Sequence, residues 1–403
     1  MQPSRPHLYP AIAVFATVLL ALISAHFYAF SMEKRYVNVM AAQMNLESMN
    51  GSVFQRIGIQ QPDLLLVYGS SEMLNMDTDN RSVNFFKEYP TGFQVYEIAI
   101  GGTTCLNIAQ DLAALGPDLT GKKVVVSFTP AMFNLDQVHP NAYWGVYSQL
   151  HANETAFSLN LSMALKRKIA ARMLDYPDTL KDDPLLLFAL QQINANTAFN
   201  DLAYDLVLPL GNLKLQVMHL QDDWQALSFI WDNPDVKAHI AKHARDIDWT
   251  AEIEKAQLDQ QNNANNNPYG VDNQTWGDNY QSFKPQAPGS GDMLYTANVQ
   301  NSKEWGDLEI VLQLLKEMGA KPLIMSRPIN GVLFTASGVS SQAQQVYYNK
   351  LEQTVQAYQM PLVDFKQFTN DKYFNTDSVS HTSRKGWIYV NQIFDAFFHD
   401  KIR

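Results

Sequence analysis

The chain has 403 residues, of which 46% are hydrophobic and 17% are charged, a composition typical of a folded globular protein and not of a disordered one. Its formal net charge of -10 argues against a general nucleic-acid binder, because neutralising phosphates requires an excess of lysine and arginine. Cys105 is the only cysteine, which excludes an intrachain disulfide and any zinc site built from several cysteines.

The N-terminus carries an apolar stretch, residues 11–30, without a single Asp, Glu, Lys or Arg. As a helix, about 20 apolar residues span the hydrocarbon core of a bilayer, so this stretch predicts one transmembrane anchor. A cleaved signal peptide is the alternative, but its apolar region would be shorter. The flanking charges do not fix the orientation. We therefore predict a tip and anchor at residues 1–32 and one domain at residues 33–403.

Beyond the anchor, short apolar runs alternate with helical patterns. Five runs have the character of strands buried on both faces, at residues 64–68, 93–100, 124–128, 322–325 and 361–365. Four segments have apolar residues at helical spacing, at residues 104–115, 305–318, 341–358 and 385–398. This alternation predicts an α/β fold with a parallel five-stranded sheet flanked by helices.

Two segments interrupt this alternation. Residues 141–251 show mostly helical periodicity and predict a helical insertion. Residues 257–286 are rich in Asn, Gln, Asp and Gly, which predicts a long polar surface loop. Tyr269, Trp276 and Tyr280 are unusual in such a loop. They either pin it to the core, which we favour, or contact a glycan or partner.

Two turns that follow predicted strands could take part in chemistry. Ser70 and Ser71 come directly after the first strand, where ligands of parallel α/β sheets bind and where a serine can act as a nucleophile. Taken alone, the tetrapeptide Gly69-Ser70-Ser71-Glu72 is better explained as a helix cap, with Glu72 in the first turn. Gly102 follows the second strand and could offer a backbone N–H to an oxyanion, although an ordinary turn also has glycines there.

A third feature lies just before the last helical pattern. Asp377 and His381 could supply the base that a serine nucleophile needs and the acceptor that orients the base. A histidine near an aspartate is more often structural. The sequence has no H-E-x-x-H or other metal-ligand spacing, so we expect neither a metal nor a cofactor.

Taken together, the three features follow the chain order of the SGNH (GDSL-type) hydrolases. Gly69-Ser70-Ser71 resembles their G-D-S block, and residues 97–102 resemble their N-x-G-x-x-G block. The usual G-x-N-D block is missing, and residues 127–130 (S-F-T-P) stand in its place.

With this missing block and the N-terminal anchor, the chain resembles the DltD family, the D-alanyl transfer proteins of the D-alanylation pathway. The resemblance covers nearly the whole chain, and its most specific piece is the K-G-W motif that follows His381. One spacing differs, because the family usually has Asp three positions before His, whereas Asp377 lies four positions before it. The other matching segments are residues 328–331, 347–350, 363–365 and 385–390.

The resemblance implies a mechanism and a setting. Ser71 would carry a D-alanyl group as an ester, with His381 as the general base, Asp377 as its orienting acceptor, and the N–H groups of Gly102 and Ser71 binding the oxyanion. The donor would come through a membrane O-acyltransferase (DltB-like) from a D-alanyl carrier protein. The acceptor would be teichoic acid or another envelope polymer. The protein would cross the cell membrane once, with a cytoplasmic tip and an extracytoplasmic catalytic domain.

Three alternatives stay open at this stage. The same residues could serve an anchored esterase or thioesterase of the SGNH class, with water as the acceptor. The missing block and the irregular spacing would also fit a carrier-binding subunit with a decayed catalytic site. Finally, Ser70 remains the alternative nucleophile to Ser71.

Overall fold

A computed structural model describes residues 8–41, 51–74, 79–134, 140–232, 246–377 and 381–402. Residues 1–7 of the predicted tip and residues 233–245 of the predicted insertion lie outside the described residues. The strands are β1 (Leu64–Gly69), β2 (Gln94–Ala99), β3 (Lys123–Phe128), β4 (Lys321–Ser326) and β5 (Leu362–Val363). The helices are α1 (Leu8–Ala41), α2 (Val53–Gln60), α3 (Ser71–Leu74), α4 (Ser82–Glu88), α5 (Cys105–Leu115), α6 (Pro130–Phe133), α7 (Pro140–Val146), α8 (Gln149–Phe157), α9 (Met163–Met173), α10 (Pro177–Leu180), α11 (Pro184–Ala195), α12 (Ala198–Asp232), α13 (Trp249–Asn263), α14 (Asn273–Asn279), α15 (Asp292–Asn301), α16 (Glu304–Glu317), α17 (Gly331–Ala336), α18 (Ser341–Ala357) and α19 (Arg384–Phe398).

The five strands form one parallel sheet, as the sequence predicted, and the structure gives their order as β2-β1-β3-β4-β5. β1 is buried along its whole length, because the apolar run from Leu64 to Tyr68 has no polar side chain to present to water. The predicted bounds of the first four strands hold to within one residue. β5 is shorter than predicted, since only Leu362 and Val363 pair with β4.

Side chains that alternate along the strands supply two hydrophobic cores. Leu66 and Val124 belong to the core under α2, α5, α16 and α18. Leu65 and Val125 point to the other face and belong to the core under α4, α13 and α19. Helices therefore cover both faces of the sheet, and its carboxyl edge remains available for a site.

The described part of the predicted insertion consists of helices α7 to α12 and the start of α13, joined by short non-helical connections. The next segment differs from the long polar loop predicted at residues 257–286. α13 continues to Asn263 and α14 occupies Asn273–Asn279 within that range. α13 forms in spite of its polar composition because Asp248 caps it, accepting a hydrogen bond from the Ala251 N–H at 3.1 Å, and because Ala256 is buried where α13 packs on α19.

The aromatic residues of this segment contact one another. The ring centroids of Tyr269 and Trp276 are 5.3 Å apart, and Trp276 stacks on Tyr280 at 5.6 Å. The backbone fixes the segment to the domain, because Asp272 donates to the carbonyl of Thr376 at 2.9 Å. This hydrogen bond joins the segment to the residue that precedes Asp377.

α1 contains one stretch, Tyr9–Val37, that is long and apolar enough to cross a membrane by length and composition. The helix runs unbroken across the predicted boundary between residues 32 and 33. It packs against α12, where His26 Nδ1 lies 3.1 Å from Asp223 Oδ2. The anchor and the domain therefore share a helix, and residues 33–41 continue it beyond the predicted anchor.

Candidate active site

Ser71, His381 and Asp377 lie together at the carboxyl end of β1. Ser71 is the first residue of α3, and its Oγ is 3.0 Å from Nε2 of His381. On the other side of the imidazole, Nδ1 hydrogen-bonds Oδ2 of Asp377. An ionised carboxylate can only accept, so Nδ1 carries the proton, and Nε2 of the neutral ring is left to accept the proton of the serine hydroxyl. This arrangement can activate a serine nucleophile.

The loop between Asp377 and His381 accommodates the spacing that departs from the family pattern. The Thr376 N–H donates to the His381 carbonyl at 2.8 Å, and Asn375 and Thr382 form an antiparallel bridge beside it. These backbone bonds close the turn, so its two ends meet although three residues intervene. Residues 378–380 at its tip lie outside the described residues.

The two neighbouring serines have different surroundings. Ser70 is buried, and its Oγ points to the carbonyl of Ile100 at 3.4 Å. Its backbone N–H donates to both carboxylate oxygens of Glu72 at 3.1 Å. Of the two hydroxyls, the one that hydrogen-bonds the imidazole is that of Ser71.

The turn after β2 lies beside Ser71. A β carbon added to Gly101 would lie 4.0 Å from the β carbon of Ser71. The turn is closed by the Thr103 N–H, which donates to the Ile100 carbonyl at 3.1 Å. Gly102 has a φ of 87°, a left-handed conformation that favours glycine. The glycine that the sequence singled out is therefore required by the backbone of a turn next to Ser71.

Beneath Ser71, the sheet edge holds buried charges of both signs. Arg327 follows β4 directly and is fully buried, with its guanidinium 4.8 Å from the ring centre of Trp387 and its Nη2 3.3 Å from Sδ of Met73. Glu72 and Glu97 are almost fully buried, and both interact electrostatically with Arg327.

A second arginine partners one of these carboxylates. Arg81 Nε donates to Oε2 of Glu97 at 2.8 Å. Together, Glu72, Glu97, Arg81 and Arg327 form what we call the buried charge cluster. It carries two potential negative and two positive charges, so its members can compensate one another in a region that water does not reach.

Burial and neighbouring charges shift the pKa values of the buried charge cluster and of His381. Burial raises the pKa of Glu72 above its usual range, although the Ser70 N–H and the charge of Arg327 act against this. Burial lowers the pKa of Arg327 to about 10 in spite of its carboxylate neighbours. At His381, burial lowers the pKa, but the hydrogen bond and charge of Asp377, with the charge of Glu72, outweigh it and raise the pKa above its ordinary value of 6.5.

The K-G-W motif, Lys385 to Trp387, lies in the first turn of α19 and packs that helix against this site. Lys385 forms an ion pair with Asp371, and the fully buried Trp387 lies against Arg327. A β carbon at Gly386 would overlap the carbonyl oxygen of Phe374, so no other residue fits that close approach. Each residue of the motif thus has a structural role close to His381 and Asp377.

The sequence predicted that Ser71, His381 and Asp377 act together, and the structure brings their side chains into contact, but the sequence analysis did not predict the buried charge cluster. Glu72 had been interpreted as a residue of the first helical turn, and Arg327 had not been singled out. The available signal was a lone arginine directly after an apolar strand, at the same sheet edge as the two serines. Among the described residues, no group of three or more His, Cys, Asp or Glu side chains could hold a metal ion.

Comparison with known proteins gives a consistent result. The family profile described as DltD protein matches residues 41–399 of the chain. Protein DltD of Bacillus subtilis (strain 168) is 26% identical over 393 residues, covering 96% of this chain and 95% of the relative. Protein DltD of Staphylococcus aureus (strain NCTC 8325 / PS 47) is 23% identical over 389 residues, covering 96% of this chain and 94% of the relative.

Proposed function

Because the chain belongs to the DltD family, we propose that it is a membrane-anchored serine acyltransferase that moves D-alanyl groups onto a cell-envelope polymer of the teichoic acid type. The observation that carries this proposal is the continuous hydrogen-bonded series from Ser71 through His381 to Asp377. It supports covalent catalysis at a serine, in which the acyl group is held as an ester between donor and acceptor.

In the first half-reaction, Ser71 Oγ attacks the carbonyl carbon of the D-alanyl donor while His381 Nε2 takes the hydroxyl proton. Asp377 stabilises the imidazolium that forms. Collapse of the tetrahedral intermediate breaks the bond to the donor's leaving group, and His381 returns its proton to that group. The product is a D-alanyl ester of Ser71. A membrane O-acyltransferase (DltB-like), fed by a D-alanyl carrier protein, would supply the donor.

The developing oxyanion would be held by backbone N–H groups of Ser71 and Gly102. The support for this role is the turn at residues 100–103, which approaches Ser71 closely and holds Gly102 in a left-handed conformation. One such donor contributes about 3–4 kcal/mol to the stability of the transition state.

In the second half-reaction, a hydroxyl of the polymer attacks the same ester. His381 removes its proton, and Ser71 leaves with a proton returned by His381. One ester is exchanged for another, so the step needs no nucleotide and no cofactor. α1 would hold the domain at the cell membrane, on its extracytoplasmic side, where such a polymer is found.

The test is a transfer assay with the full-length protein in lipid nanodiscs, a D-alanyl ester as donor and a glycerol phosphate polymer as acceptor. The proposal predicts D-alanyl esters on the polymer and little free D-alanine. Ser71→Ala is the inactive control, and Ser70→Ala is the matched variant that retains transfer. Release of free D-alanine at the same rate with and without polymer would instead identify an esterase. No turnover of any donor would point to a subunit with a decayed site.

A further inference from the structure

The longest helix of the protein leaves one side apolar and exposed. Along α12, nine large apolar side chains are each at least 44% exposed. We call them the α12 stripe, and they are Phe199, Leu202, Leu206, Leu210, Leu213, Val217, Leu220, Trp224 and Trp231.

These positions recur every three or four residues up to Trp224, and Trp231 follows two turns later. At about 100° per residue, all nine fall within roughly 80° of the helix circumference. The stripe extends over the 33 residues from Phe199 to Trp231, which is about 48 Å of helix. Isolated exposed leucines are ordinary, but a continuous apolar band of this length marks a surface that is covered in use.

The charges of α12 lie away from the stripe and are engaged with the protein. Asp201 pairs with Arg167 at 2.8 Å, and Lys214 pairs with Asp183. Asp205 and Asp232 are exposed, and Asp201 stays 39% exposed within its ion pair. The other side of α12 packs on α8 and α11. The stripe therefore has almost no charged rim of the kind that would orient a protein partner.

The position of α1 relates the stripe to a membrane. α1 crosses the C-terminal third of α12, where His26 contacts Asp223. At this crossing, Leu220 of the stripe lines the same cavity of about 510 Å³ as His26 and Phe30 of α1. Phe30 is also the last residue of the apolar run of the anchor. The exposed apolar surface of α1 and the α12 stripe therefore meet at the level where the anchor would leave the bilayer.

We propose that α12 lies in the membrane interface with its stripe buried among lipid headgroups and acyl chains beside the anchor. Trp224 and Trp231 stand next to the crossing with α1, and tryptophan is enriched at this depth. The helix and the anchor would together hold the domain in one orientation, with two contacts to the membrane in place of a single flexible tether. This inference rests on the membrane-anchored state proposed above.

The chain suits a labelling test, because Cys105 is fully buried and burial raises the pKa of its thiol well above the usual range, so it should not react. The full-length protein is reconstituted in phosphatidylcholine vesicles with one introduced cysteine carrying the fluorophore NBD. Leu206→Cys and Leu213→Cys report on the stripe, and Leu19→Cys reports on the anchor. Leu258→Cys is the matched control, an exposed leucine of α13 on the opposite face of the sheet.

A nitroxide-labelled phosphatidylcholine is then added as quencher. We expect it to lower the emission at Leu206 and Leu213 at least about twofold, as at Leu19, and to leave Leu258 unchanged, since only the first three positions are in lipid. Phosphatidylglycerol in the vesicles should not change this result, because the stripe has no basic residues to attract anionic lipid. Two positions of the stripe are labelled so that the test still works if one of the two variants fails to fold.

Two other outcomes distinguish a wrong placement of α12 from a wrong membrane-anchored state. Strong quenching at Leu19 with Leu206 and Leu213 no more quenched than Leu258 would overturn the interfacial placement of α12 and leave the anchor intact. A protein partner would then be the occupant of the stripe. Absence of quenching at all four positions would overturn the membrane-anchored state itself.

Discussion

Removing Arg327 should destabilise the protein far more than removing an arginine at its surface. Arg327 is fully buried, lies against Trp387 and compensates the charges of Glu72 and Glu97. In Arg327→Met the side chain keeps much of its volume, but the two carboxylates lose a buried counter-charge. Leaving buried carboxylates without a neighbouring counter-charge costs about 3–5 kcal/mol. The expected fall in melting temperature is on the order of 10 °C.

The loss should depend on pH in a defined direction. Burial already raises the pKa of Glu72 and of Glu97, and Arg327 is one of the groups that restrains both shifts. Without Arg327 both pKa values rise further, so the folded state holds protons to higher pH than the unfolded chain does. A carboxyl group whose pKa is raised in the folded state makes the protein less stable as pH increases. The difference in free energy of unfolding between the variant and wild type is therefore largest at neutral pH and shrinks toward about pH 5.

The assay is thermal unfolding of the full-length protein in detergent, followed by intrinsic tryptophan fluorescence between about pH 5 and 8. Arg167→Met is the matched control, because Arg167 pairs with the exposed Asp201 at the surface, where such pairs contribute about 0–1 kcal/mol. Glu72→Gln added to Arg327→Met should recover part of the loss. If Arg327→Met melted like Arg167→Met at every pH, the compensation assigned to the buried charge cluster would be refuted.

Four further predictions concern Ser71, His381 and Asp377 and the segment packed beside them. Ser71→Ala should abolish transfer while changing the free energy of unfolding by about 1 kcal/mol or less. Transfer assays and thermal melting curves of the variant check this. An active Ser71→Ala together with an inactive Ser70→Ala would show that Ser70 is the nucleophile. The transfer rate should rise with pH to a plateau, with a midpoint above 6.5 because Asp377 and Glu72 raise the pKa of His381. Asp377→Asn should lower the rate and shift that midpoint to lower pH, and an unchanged midpoint in the pH–rate profile would contradict this. Gly386→Ala should lower the free energy of unfolding by about 1–3 kcal/mol, since its β carbon would overlap a backbone carbonyl. A melting temperature equal to that of wild type would contradict this, because it would show that the neighbouring backbone moves aside without cost.

The central sheet could be predicted from sequence because its signal is local. Residues 64–68 form a continuous apolar run and residues 124–128 an almost continuous one, and such short runs are typical of strands covered on both faces. The Ser71 to His381 contact joins residues far apart in the chain, and it was predicted only from the order of blocks in a known fold. The prediction worked because the carboxyl ends of parallel strands meet at one edge of the sheet.

The features that were missed depend on tertiary contacts. α13 has a polar, asparagine-rich C-terminal half that indicates a loop, yet packing on α19 makes it a helix. The role of Glu72 depends on Arg327, which is distant in sequence, and neither residue alone signals a buried charge. The stripe on α12 has the same periodicity as a helix buried in a core, so the sequence could not tell which helical face the protein leaves exposed.

The most direct test of the central claim is to trap the covalent intermediate on Ser71. The full-length protein in nanodiscs is mixed with a D-alanyl ester donor in the absence of polymer, quenched in acid, digested and analysed by mass spectrometry. The proposed mechanism predicts that the peptide containing Ser71 gains the mass of one alanyl group, that fragmentation places it on Ser71 and not Ser70, and that added polymer removes it. Transfer that proceeds without any adduct on this peptide, or in Ser71→Ala at the wild-type rate, would contradict it.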